Sequence, residues 1–190
     1  MTVTQSSKEV VPQLSLRREV ESLSGANLTA CFQCEKCTSG CPVTFAMDIM
    51  PHHVIRLLDL GQVDEVLQSD TIWVCASCET CSTRCPNDID IAHVMDTLRQ
   101  MSQRKGVKAA QPSVPIFHSA FLGSIQRFGR VHEAMMAVVF SLKSSGPSGL
   151  LEQAGTGISM FIHGKIKLLP YKLLGNQQVR DIFKRTEKGR

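Results

Sequence analysis

Apolar residues recur at helical spacing through most of the chain. Leu16, Val20 and Leu23, with Arg17, Arg18 and Glu19 between them, predict a short amphipathic helix over 15–23 that Ser24-Gly25-Ala26-Asn27 ends. Val54, Ile55, Leu57 and Leu58 form the apolar face of a second helix before Gly61; Asp48 is placed to cap it, and Pro51 falls in its first turn, where a missing N–H costs little. Val63, Val66 and Leu67 predict a further turn or two, and Ser69-Asp70 opens into Ile72-Trp73-Val74. Ile91, Val94, Met95, Leu98 and Met101 recur at i, i+3, i+4, i+7 and i+10, predicting a helix capped by Asp88 or Asp90 and ending near Gly106. Lys108 to Pro115 reads as a linker, Phe117, Phe121, Ile125 and Phe128 make one stripe suited to a core, and Val131 to Phe140 is almost continuously apolar. Gly146 to Gly157 reads as a flexible connector, and Ile158 to Phe183 as a helix-like stretch mixing apolar residues with lysines. The expected plan is all-α: a tail over 1–13, a helical domain over 14–106, a helical docking region over 107–145, and a connector with a basic helical tail over 146–190.

Two copies of one cysteine pattern organise the first helices. All eight cysteines lie in Cys31-Phe-Gln-Cys34-Glu-Lys-Cys37-Thr-Ser-Gly-Cys41-Pro42 and Cys75-Ala-Ser-Cys78-Glu-Thr-Cys81-Ser-Thr-Arg-Cys85-Pro86. Each reads C-x2-C-x2-C-x3-C-P, the spacing by which bacterial-type ferredoxins hold cubane [4Fe-4S] clusters, the fourth cysteine of each run serving the other cluster. Three thiolates with two-residue gaps can converge on three corners of one small cube. Proline fixes φ and lacks the N–H, so Pro42 and Pro86 stop the turn and direct the fourth cysteine elsewhere. The ligand sets expected are Cys31, Cys34, Cys37 and Cys85 for one cluster and Cys75, Cys78, Cys81 and Cys41 for the second. Structural zinc sites pair C-x2-C with a second, distant pair, which fits this run poorly. A disulfide framework calls for a small secreted chain. Each loop is followed by a proline, an Asp-containing turn and an amphipathic helix, a pseudo-repeat. In the loops, Lys36 and Arg84 either add positive charge near a cluster or face water, and Phe32 and Trp73 either shield cluster edges or serve the core.

Charge changes little in this picture. The formal net charge is +4, and two [4Fe-4S] clusters with four thiolates each bring about −4, leaving the loaded chain near neutral. Lys184, Arg185, Lys188 and Arg190 read as a solvated tail rather than a binding patch. Met1 to Pro12 is polar and leads into no apolar core, so no secretory signal is read, and Lys165, Lys167 and Pro170 interrupt the longest apolar stretch, against the ~20 residues a spanning helix needs. A soluble, cytoplasmic protein is expected, since thiolates that take up iron need a reducing compartment.

The paired loops, the helical insert, Asp48-Ile49-Met50-Pro51, Ile72-Trp73-Val74-Cys75 and Phe128-Gly129-Arg130-Val131-His132-Glu133 resemble the iron–sulfur electron-transfer subunit of heterodisulfide reductase and its bacterial relatives over about residues 14 to 140. The resemblance implies an α-helical ferredoxin fold with two [4Fe-4S] clusters. It implies that these relay electrons between two partners, a flavin-containing subunit on one side and the catalytic subunit, with its CCG motifs, on the other. The setting is then either disulfide reduction or, in a related complex, oxidation of sulfane sulfur. No CCG motif can lie in this chain, because no cysteine follows Cys85.

Other functions have less behind them. A redox sensor would show a DNA-reading helix or basic helix near the ligands, and a structural cluster subunit of another oxidoreductase is the remaining alternative. An enzyme with its own site finds no nucleophile–base pair, GxGxxG or P-loop. The histidines are scattered, and His52-His53, adjacent on a helix, are expected to point in different directions. The reading is a non-catalytic electron-transfer subunit with no nucleic-acid partner.

Overall fold

The computed structural model describes residues 11–165 and 175–188, without the side chains of 150–153 and 187–188. The chain divides between Gln111 and Pro112 into two compact units. All regular elements among the described residues are helical.

The first unit is built on α7 (Ile91–Arg104), against which pack α1 (Leu14–Ser24), α4 (Val63–Leu67), α5 (Thr71–Val74) and α6 (Thr80–Arg84). The predicted stripe explains this arrangement: Ile91, Val94, Met95, Leu98 and Met101 are all buried, and they meet Val20, Val66, Leu67, Ile72 and Trp73 in one core. α3 (Pro51–Asp59) contributes Val54, Ile55 and Leu58 and packs on α4 and on the short α2 (Lys36–Ser39). Three-residue 3₁₀ turns at Leu28–Ala30 and Thr44–Ala46 lead into and out of the first cysteine loop. The start of α1 is tied to the end of α3 through Gln13 N–H, which donates to Gly61 O at 2.8 Å, and through Arg17, 3.2 Å from Asp59. Gly61 has φ 76°, and a Cβ there would stand 2.9 Å from Gln13 N, so a side chain would break this seam.

Asp48 does not cap α3. The residue before that helix is Met50, with no side-chain cap, and α3 starts on Pro51 and a hydroxyl described below. The Asp48 carboxylate turns to α5 instead, accepting from the N–H groups of Asp70 and Thr71 at 2.9 Å each and from the Thr71 hydroxyl at 2.7 Å. In the second half Asp90 does cap its own helix, accepting from His93 N–H at 3.0 Å. Gly106, with φ 65°, follows the end of α7.

The second unit comprises α8 (Ser113–Phe128), α9 (Glu133–Ser144), α10 (Gly146–Ile162) and α11 (Asn176–Lys188), with α9 packed on α8 and α10, and α11 on α8. Two expectations are corrected here. The linker is shorter than 108–115, because α8 begins at Ser113 and takes Pro115 into its first turn. Gly146 to Gly157 is not a flexible connector but most of α10: Pro147 sits in the first turn, where its fixed φ helps, and packing along α9 offsets the helix cost of the glycines. Gly149 has a role of its own, since a Cβ there would lie 2.4 Å from that of Ser145. The helix-like stretch 158–183 falls partly on residues 166–174, outside the described residues; on either side it belongs to α10 and α11. The Phe117–Phe128 stripe grades from buried Phe128 to half-exposed Phe117, whose ring packs on Phe121 and Phe140 at centroid distances of 6.1 and 5.8 Å. Among the described residues no helix is long and apolar enough to cross a membrane.

Candidate metal centre

The two cysteine loops share one backbone. In each, the two residues flanking the second cysteine take left-handed φ angles: 60° and 61° at Gln33 and Glu35 around Cys34, 49° and 59° at Ser77 and Glu79 around Cys78. None is glycine, so each carries strain that the surrounding fold must hold, a pattern concentrated at functional sites. Such reversals turn successive N–H groups inward, and the amides of Ser77, Thr80 and Ser82 lie within electrostatic reach of the Cys75, Cys78 and Cys81 sulfurs.

Each loop also latches the helix that follows it. Thr38 and Ser82 occupy the position after the third cysteine. The Thr38 hydroxyl oxygen accepts the N–H of His52 at 3.2 Å, and Ser82 accepts that of Ala92 at 3.0 Å. His52 and Ala92 are the second residues of α3 and α7, so each hydroxyl satisfies an otherwise orphaned helix-start donor. Sequence reasoning missed both latches; a hydroxyl at the same offset in both loops was the available signal.

The loops meet. α2 and α6, which carry the third cysteines, pack together, and Arg84 lies across Gly40, where a Cβ would stand 2.7 Å from its guanidinium. Cys41 leaves the first loop and joins Cys75, Cys78 and Cys81 in lining one small cavity, walled by Val43, Met47, Pro51, Ala92 and Met95. For the other set, Cys31 and Cys37 are within electrostatic reach of each other, and the Asn87 side-chain amide donates to Ala30 O, tying the chain just after Cys85 to the residue before Cys31. Gln33 Nε2 donates to Cys31 Sγ at 3.1 Å, and Ile89 N–H to Cys85 Sγ at 3.4 Å. Among the described residues no three His, Cys, Asp or Glu side chains are grouped closely enough to hold one metal ion; thiolates on separate irons of a cubane stand wider apart than ligands of a single ion.

Burial governs the thiols. It pushes Cys81 up to about 11 and raises Cys75 and Cys37, whereas the exposed Cys78 is lowered by its contact with Thr80. Buried neutral thiols with sulfur-directed amides around them need a cationic centre to hold their thiolate form, and iron supplies it. Thiol donors, inward amides and an apolar-walled cavity fit a [4Fe-4S] group.

Of the flanking residues, Trp73 is only 3% exposed and belongs to the core, its indole N–H without a partner among the described residues, while Phe32 is 62% exposed. Lys36 is exposed, as is Arg84 apart from its contact with Gly40. His52 and His53 do not diverge as expected: their ring centroids are 4.0 Å apart. The buried His52 ring bonds Thr38 Oγ1 through Nδ1 at 2.7 Å, and its Nε2 is 3.7 Å from Glu35.

A search of curated proteins finds no match to the chain. Residues 27–89 match the family model of the 4Fe-4S dicluster domain, a span that runs from just before Cys31 to just after Cys85 and so contains both loops. With that match on a helical scaffold whose loops direct thiols and amides inward, the chain is an iron–sulfur protein with an electron-transfer role.

Proposed function

We propose that the chain holds two [4Fe-4S] clusters in crossed sets, Cys31, Cys34, Cys37 and Cys85 for one and Cys75, Cys78, Cys81 and Cys41 for the other, and serves as the electron relay of a heterodisulfide reductase-type complex. The observation that carries the crossed sets is the shared cavity of Cys41 with the three cysteines of the second loop. When bound, each cluster supplies a one-electron couple between its 2+ and 1+ core states. The protein's part is to fix and tune that couple. Amide donors on the sulfurs, Gln33 Nε2 on Cys31 and Ile89 N–H on Cys85, favour added negative charge, and the apolar wall from Val43, Met47, Ala92 and Met95 excludes water. Cys34 and Cys78, the second cysteines of the loops, are exposed and place one corner of each set at the surface.

In this reading the chain works between a flavin-containing partner and a catalytic partner with CCG motifs, in disulfide reduction or sulfane sulfur oxidation. The sequence resemblance supports these partners, and so do the exposed apolar side chains of the second unit, among them Leu122, Val138 and Leu142. Iron and acid-labile sulfide analysis with EPR of the reduced, anaerobically purified chain tests the relay. About eight irons and eight sulfides, with spin coupling between two reduced centres, is expected. Cys41→Ala should selectively disturb the signal of the second-loop centre and Cys85→Ala that of the first. Zinc without sulfide, or one cluster only, overturns the reading.

A further inference from the structure

α8 and α9 pack on each other, but not along their whole length. Beside that contact, around Gly123, they leave a cavity of about 220 Å³. α8 faces it with Ser119, Ala120, Gly123 and Ser124, and α9 with Met135, Met136 and Val139. A Cβ built on Gly123 would meet nothing within 4 Å, so the space above that backbone is open. The charged residues of the lining are Arg127 and Lys143, one from each helix, and among the described residues no carboxylate lines it. Neither cation makes an ion pair among the described residues.

We infer that this groove receives an acidic amphipathic helix from a partner protein of the complex. The inference rests on the reading that the chain works inside a complex, and it names the surface and the chemistry of the contact. Small residues at successive i and i+4 positions let a second helix backbone approach closely, as bulkier side chains would not. From Ser119 to Arg127 the groove floor extends roughly 12 Å along α8, about two helical turns. Unbranched methionines on the facing wall adjust to whatever apolar side chains enter. The guanidinium and ammonium groups, without an ion pair among the described residues, then select for carboxylates on the entering helix and against basic ones.

The test uses the full-length, cluster-loaded chain and a labelled amphipathic peptide of Leu, Ala and Glu, about 18 residues long so that it is helical, beside a counterpart with Lys for Glu. Fluorescence anisotropy at low salt should show the acidic peptide binding at least about tenfold more tightly. Gly123→Leu, which fills the groove, should weaken that binding about tenfold or more with iron content and helicity unchanged, and Arg127→Glu with Lys143→Glu should reverse the preference. Equal binding of the two peptides, binding of neither, no loss with Gly123→Leu, or stoichiometric displacement of the peptide by decanoate overturns the inference, the last assigning the groove to a small anionic amphiphile. Purification of the tagged native chain separates this from the parent reading. If a loaded chain runs alone, the complex itself is refuted; if a complex with flavin and CCG-motif partners forms and Gly123→Leu leaves it intact, only the groove is.

Discussion

Thr38 and Ser82 hold the starts of α3 and α7 through the same contact, a loop hydroxyl accepting the N–H of the second helical residue, and both loops carry the same pair of left-handed residues. Around that shared frame the two halves differ in their carboxylates and in what else the hydroxyl touches. Ser82 donates to Asp90 at 2.8 Å, and Asp90 in turn caps α7. Thr38 bonds the ring of His52, while Asp48, the acid of the first half, reaches across to α5, the helix that delivers Cys75. The second half uses its acid on its own helix, whereas the first half uses its acid to position the second. One carboxylate thereby links the segment after Cys41 to the segment before Cys75, the two places from which the second-loop cavity draws its cysteines.

The largest expected effect comes from the acid that crosses. Asp48→Ala leaves the start of α5 without its acceptor and should cost about 2–4 kcal/mol in chemical denaturation of the loaded chain, whereas Asp90→Ala, losing mainly a helix cap, should cost about 1 kcal/mol; equal losses would erase the difference between the halves. Thr38→Ala and Ser82→Ala should each cost about 1–2 kcal/mol, and because the backbone contact is the same, the two values should agree within about 1 kcal/mol. A smaller change, of the opposite sign, is expected at the left-handed positions. Glu35→Gly and Glu79→Gly should each stabilise by about 0.5 kcal/mol, and a gain in one loop alone would show that the backbones carry unequal strain.

The smallest effect belongs to the first half. Burial, with help from His53 and against the pull of Glu35, lowers the His52 pKa below its ordinary 6.5. The unfolded chain then binds the proton more readily, so the contribution of neutral His52 is fully present above that value and is lost as pH falls through it toward the folded pKa. Melting temperatures measured from about pH 7.5 to about pH 5.5 should fall more for the native chain than for His52→Gln. Parallel curves would remove His52 from the account.

The helices around α7 were legible because a long buried stripe leaves a strong period, and the cysteine runs were legible because cubane chemistry fixes ligand spacing. What escaped was long-range or ran against local preference. Asp48 stands where a cap for α3 is expected, yet its partners Asp70 and Thr71 are 22 and 23 residues away, and local pattern carries no trace of them. Gln33, Glu35, Ser77 and Glu79 take a conformation that glycine ordinarily advertises. α10 forms through glycines that spell a connector, because contacts with α9 outweigh propensity.

The latches also differ in reach. Thr38 and His52 are 14 residues apart, Ser82 and Ala92 only 10, so four more residues separate loop from helix in the first half, with the same contact at the end. Those residues include the turn Thr44–Ala46, where Phe45 stands 88% exposed. The interval between fourth cysteine and helix therefore absorbs a difference in length while the loop hydroxyl keeps its contact with the helix start. It offers an engineer a site for grafting a spectroscopic label or a binding epitope beside a redox centre, and the short interval after Pro86 has a native precedent for how much extra chain to add.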